Sequence, residues 1–195
     1  MNRRDLVRSV AVALALPAIA RGEAERLFAA GRRAHRRAGR APGVLDPHQR
    51  ETVATLAELI FPATDTPGAR AAGVHDFVDV MLAEWYSAEE RDRFLAGLAD
   101  VDARARAAYG ADFLGATDAQ RGELLHGFDA EVQALRGAKQ DPDRHFFQRM
   151  KFLTLYGYFT SEAGTTAELH YVAIPGSYDG CTGLGNASAA PGDFG

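Results

Sequence analysis

A single cysteine, Cys181, stands in a chain of 195 residues. That scarcity leaves no internal disulfide framework and no zinc or iron–sulfur site built from cysteines of this chain alone. No apolar run approaches the ~20 residues that a membrane-spanning helix needs. Catalytic signatures are equally sparse. There is no Gly-x-Ser-x-Gly elbow, no Cys-x-x-Cys-His run and no serine near a plausible histidine base. The six histidines, at 35, 48, 75, 126, 145 and 170, never fall at the four-residue spacing that sets two imidazoles on one helix face. His75 beside Asp76 reads as an exposed pair at a helix start. Asp100-Val-Asp102 and Asp141-Pro-Asp143 lack the glycine and the terminal glutamate of a calcium loop, and read as surface charge and helix capping. Gly183-Leu-Gly185 lacks the strand and helix that a dinucleotide loop requires. No catalytic, cofactor-binding or metal-binding residue is therefore expected in this chain.

What is present is an ordinary globular composition with an uneven charge. Hydrophobic residues make up 47% of the chain and charged residues 25%, enough for one domain with its own core. The net charge is −4, yet residues 1–40 hold ten arginines against three acids, so the remainder is strongly acidic. An acidic body excludes a nucleic-acid partner, since phosphate neutralisation needs a basic face.

The basic end divides in two. Arg3 and Arg4 precede an apolar stretch at 10–16, then Pro17 and an Ala-Ile-Ala ending. A basic start, an apolar stretch of roughly ten residues and small residues at the end form an export signal. The arginine pair resembles a twin-arginine signal, although Asn2 and Leu6 depart from the usual pattern. Residues 1–20 are thus expected to direct periplasmic export, with attachment to a membrane only through partners. That route moves folded proteins, so a chain without a cofactor motif is suited to carrying a cofactor-bearing partner across. Residues 21–44 follow as an arm with seven arginines against Glu23 and Glu25. The expectation is a helical or loosely ordered arm serving as a solvated linker, and binding to an acidic lipid or partner surface is the other reading.

From residue 45 the pattern is helical. Asp46-Pro47-His48-Gln49 carries a cap, a first-turn proline and a capping box. Val53, Leu56 and Ile60 continue it until Phe61-Pro62, and a turn-rich loop runs to Gly68. A second amphipathic helix spans 73–86. A third opens at Ser87 and ends at Gly110, and a fourth is capped by Thr117. Asp141-Pro142 opens a fifth, which is apolar on nearly every side from 146 to 159. Such a helix is either the centre of the fold or covered by another molecule. Residues 161–169 read as loop or a short turn, 170–174 as a lone extended segment, and 183–195 as a flexible tail. The fold class is all-α: one small domain of about five helices, residues 45–182, with an irregular C-terminal arm. Cys181, in polar surroundings after Tyr178, is open to three readings in an exported protein: bonded to another chain, buried and free, or reactive.

Several runs together resemble the small subunit of flavin-dependent sugar and sugar-acid dehydrogenases, the gluconate 2-dehydrogenase subunit 3 family. They are the segment from Ile60 to Ala69 containing Pro-Ala-Thr-Asp-Thr-Pro-Gly, then Phe77-Val78-Asp79 and Trp85-Tyr86-Ser87. The segment from Phe152 to Glu162 containing Gly-Tyr-Phe-Thr-Ser-Glu follows, and then Tyr178-Asp179-Gly180-Cys181. The resemblance implies a non-catalytic subunit that assists folding, stability and export of a large FAD-dependent (GMC-type) flavoprotein. A multihaem cytochrome c subunit is implied as a further partner, so FAD and haem c would reside in other chains. Phe152, Tyr156, Tyr158, Phe159, Tyr178 and Cys181 are the residues expected at the flavoprotein interface. The rival expectation is a self-sufficient exported protein whose helices enclose a small apolar ligand.

Overall fold

The computed structural model describes residues 21–37 and 43–169, with backbone alone for 21–25. Among the described residues there are six α-helices and no strand. They are α1 (Arg21–Arg37), α2 (Pro47–Ile60), α3 (Val74–Glu84), α4 (Ala88–Tyr109), α5 (Asp118–Gly137) and α6 (Phe146–Thr160). A 3-10 turn (Pro142–Arg144) precedes α6 and a π turn (Gly164–Glu168) follows it. The export signal, Tyr178, Cys181 and the segment at 170–174 lie outside the described residues.

The helix starts follow local chemistry. Asp46, Ser87 and Thr117 each accept the amide of the residue three positions on, and Gln49, Glu90 and Gln120 reach back to the cap amide. Each cap satisfies otherwise orphaned amides and is worth about 1 kcal/mol. Gly110 closes α4 with φ 75°, a left-handed conformation that a Cβ would strain. Two boundaries differ from expectation. Asp141 caps only the 3-10 turn, and α6 itself starts at Phe146, where the His145 ring accepts the amide of Phe147. Residues 161–169, expected as loop or a short turn, hold the π turn, where the Ser161 and Glu162 carbonyls accept the hydroxyls of Thr165 and Thr166.

Helix α6 is the axis of the fold. It packs against all five other helices and both short turns, which explains why it is apolar on nearly every side. Phe146, Phe147, Met150, Leu153, Gly157 and Tyr158 are all buried within the chain's own core. Val53, Leu56 and Phe61 meet them from α2 and its end, Phe77, Val78 and Leu82 from α3, and Leu98, Val101 and Val132 from α4 and α5. Burying side chains of this size contributes roughly 1.5–3 kcal/mol each.

The Arg-rich segment is not a solvated linker. Over Arg21–Arg37 it is a helix lying against α3 and α6, with Gly31 and Ala34 buried at the crossing. Two small residues three positions apart allow the close approach. A Cβ at position 31 would stand 2.7 Å from the Thr160 side chain, so neither element can back away without opening a void.

Candidate functional site

The α1–α3–α6 crossing gathers most of the residues that the sequence singled out. His35 stacks on Phe77 with ring centroids 4.7 Å apart. Its Nε2 lies 2.7 Å from the Gly157 carbonyl oxygen and 3.2 Å from the Thr160 hydroxyl. A carbonyl only accepts, so Nε2 carries the proton and donates it. Burial lowers the pKa of His35, and the bond to Gly157 opposes that shift without overcoming it. The ring is therefore neutral at pH 7. Beside it the Tyr156 hydroxyl donates to the Leu27 carbonyl, and its ring meets Phe77 edge-on at 5.3 Å. Burial raises the Tyr156 pKa, so the phenol stays protonated.

The four described aromatics expected at a partner interface fall in different places. Phe152 is 49% exposed, with its ring 5.8 Å from that of Tyr156. Tyr156 and Phe159 are half-buried, the latter edge-on to Phe61 at 5.8 Å. Tyr158 is a correction: it is 0% exposed, stacked within 3.9 Å of Phe61, and donates its hydroxyl to the Pro67 carbonyl. It belongs to the interior and has no surface to offer a partner. Leu27, Phe28 and Trp85 are exposed large apolar side chains that the sequence reading did not place at any interface.

Around the crossing, the loop from 61 to 73 is held as a rigid body. The two carboxylate oxygens of Glu58 accept the amides of Ala63 and Arg70, both at 2.9 Å. The Phe61 carbonyl accepts the Ala69 amide, and the Thr66 hydroxyl donates to Glu168 on the π turn. Residues 62–65 are thereby presented to solvent on a fixed frame. An open cleft of about 510 Å³ separates α1 from the π turn, lined by His35, Ala71, Ala72, Glu162 and Thr166 among others.

Buried carboxylates hold the remaining junctions. Asp79, 4% exposed, accepts the amides of Val44 and Leu45 at 2.7 and 3.0 Å and one arm of Arg50 at 3.2 Å. In the sequence Asp79 is only part of a family-like run, and the fold supplies the amides that it holds. Asp102, expected as surface charge, is 8% exposed and accepts the Phe113 amide, with His48 Nε2 2.6 Å away. His75, expected to be exposed, is half-buried, and its pKa is lowered by burial and then by Arg50 and Arg70. His145 sits 3.1 Å from Glu131, whose pKa is lowered chiefly by the hydrogen bond from Arg104. His48 and His145 are thus each joined to a carboxylate, whereas the buried Nδ1 of His75 has no hydrogen-bond partner among the described residues. Among the described residues, no group of three His, Cys, Asp or Glu is arranged to hold a metal ion. No described helix is long and apolar enough to cross a membrane.

These features define a small protein that is all-helical over its described residues. The family model described as gluconate 2-dehydrogenase subunit 3 matches residues 47–176, well over half of the chain, and the protein belongs to that family. No curated protein matches the chain, and no solved structure does. The family name marks it as a subunit of a dehydrogenase complex. Helix α1 lies before the matched residues.

Proposed function

We propose that the chain is the non-catalytic small subunit of an FAD-dependent sugar or sugar-acid dehydrogenase complex of the gluconate type. On this reading it helps the large flavoprotein to fold, stabilises it and accompanies it through twin-arginine export to the periplasm. The flavin belongs to that partner and haem c to a further cytochrome subunit, and no residue of this chain is assigned to hold either. The observation that carries the reading is the family match across the helical body from α2 to beyond the π turn. Support comes from the braced loop, which keeps residues 62–65 outward, and from the exposed Phe152, since exposed apolar side chains set among polar ones are common at interaction surfaces.

The test is co-expression of the full chain with its neighbouring genes, a C-terminal tag, and inspection of what co-purifies. A yellow complex with a larger flavoprotein is the expected result. A colourless, monodisperse lone chain would overturn the proposal and favour a self-sufficient protein binding a ligand in the cleft beside His35. Export is tested with the double substitution R3K/R4K. It should leave the flavoprotein in the cytoplasm, and a flavoprotein that still reaches the periplasm would remove the carrier role.

A further inference from the structure

The outer face of α1 carries a dense group of exposed arginines. Arg26, Arg32, Arg33, Arg36 and Arg37 are all exposed, and helical spacing lays them in two adjacent rows. Phe28, Arg32 and Arg36 follow one another at four-residue intervals, while Arg26, Arg33 and Arg37 form the neighbouring row. Arg37 pairs with Glu84, but Arg26, Arg32, Arg33 and Arg36 make no ion pair with any described residue. Arg33 Nε donates to the Ala29 carbonyl of its own helix at 3.3 Å, and none of these four arginines is paired with the acidic body. The helix is also fixed in this orientation. Gly31 and Ala34 are buried beneath it, His35 bonds to Gly157, and Tyr156 bonds to Leu27. Phe28, 44% exposed, heads the row of Arg32 and Arg36.

We infer that this face of α1 is a docking surface for an anionic phospholipid bilayer, against which the helix lies flat. Charge complementarity selects the occupant. Arginine forks match phosphodiester oxygens, and a row of unpaired cations gains from the negative potential of the lipid surface. The exposed Phe28 suits shallow entry between headgroups. A stable protein–protein contact would instead need a broad, largely desolvated patch with few charges at its centre, the opposite of this face. The apolar run at 10–16 directly precedes α1 in the chain, which brings the helix close to any bilayer that receives the signal segment. The inference goes beyond the dehydrogenase-subunit reading and does not depend on it, because α1 lies outside the family match.

The test compares the full wild-type chain with R26Q/R32Q/R33Q/R36Q in flotation with vesicles of phosphatidylcholine alone and of phosphatidylcholine with phosphatidylglycerol. Glutamine keeps helix propensity at solvent-facing positions, and circular dichroism verifies folding. Any contribution from the signal segment is common to both chains. Wild type should favour the anionic vesicles. With each surface arginine worth about a five-fold change in partitioning, the variant should lose that preference by more than a hundred-fold. R93Q/R144Q, which removes two exposed arginines of the body, should retain it. Equal binding to neutral vesicles, or full retention of the anionic preference in the quadruple variant, would overturn the inference. Displacement by glycerol 3-phosphate at matched ionic strength would also overturn it, because a site for free phosphate would then account for the arginines.

Discussion

His35 on α1 donates a hydrogen bond to the Gly157 carbonyl of α6 across 2.7 Å and 122 residues of chain. With the stack on Phe77, it is one of the side-chain contacts that turn an Arg-rich segment into part of the fold. H35A should lose that bond and the stack, at about 1–2 kcal/mol, which in a chain of this size lowers Tm by roughly 2–8 °C. Trypsin should then cut at Arg32 and Arg33 well before the body is digested. An arm that stays protected in the variant would mean that the packing at Gly31 and Ala34, with the Tyr156–Leu27 and Arg37–Glu84 contacts, is enough to hold it.

The same histidine gives stability a direction with pH. Its pKa in the folded chain lies below its ordinary value of 6.5, and that of His75 is lowered as well. Both rings are neutral in either state above pH 6.5, so their contribution is complete there. As pH falls below 6.5 the unfolded chain takes up protons that the folded chain does not, and stability declines until the lower folded-state values are passed. Urea midpoints measured from pH 7.5 downward should fall for the wild type and fall less for H35Q, which retains only His75. An identical slope in the two chains would show that His35 is not a source of the effect.

Asp79 should be the most costly single carboxylate to lose. Two backbone amides and Arg50 converge on it in a site 4% exposed. D79A leaves the Val44 and Leu45 amides unsatisfied, a loss of about 2–4 kcal/mol. By contrast E89A, at an exposed position paired only with Arg93 four residues on, should change stability by no more than about 0.5 kcal/mol. Chemical unfolding of the two variants checks the contrast.

Much of this architecture is legible in the sequence because it is local. The capping pairs Asp46–Gln49, Ser87–Glu90 and Thr117–Gln120 lie three residues apart, and Gly110 ends its own helix. The all-round apolar α6 also announces itself, although sequence alone could not decide between the centre of the fold and a covered surface. Long-range pairing is what could not be read. Asp102 looks like surface charge until Phe113 and His48 fold onto it. The α1 segment reads as an arginine linker because its docking signal is only two small residues and a histidine, Gly31, Ala34 and His35. Their partners, Thr160, Gly157 and Phe77, come from two other helices.

Glu58 and Tyr158 together predict how the surface loop behaves. E58Q weakens the acceptors for the Ala63 and Arg70 amides, and Y158F removes the bond to Pro67. Each should cost about 1–2 kcal/mol, and together they should speed amide exchange within 62–70 more than in α4 or α5. Uniform exchange across the chain would indicate that the loop is not an independently braced unit.

Phe152 and Tyr158 share α6 yet should respond in opposite ways, and this separates surface from core in the proposed complex. Phe152 is 49% exposed while Tyr158 is wholly buried. F152S removes little packing from the isolated chain, so its Tm should stay within about 2 °C of wild type, as for most surface substitutions. If Phe152 anchors the flavoprotein, the same change should weaken the complex by about 2 kcal/mol, roughly thirty-fold in Kd. Y158A should do the reverse. It costs the isolated chain about 3–5 kcal/mol through the cavity it leaves, and it affects the complex only through lost folded protein. Titration of purified flavoprotein with each folded variant distinguishes the cases. Unchanged affinity in F152S would move the contact away from α6, leaving the braced residues 62–65 and Trp85 as the next surface to substitute.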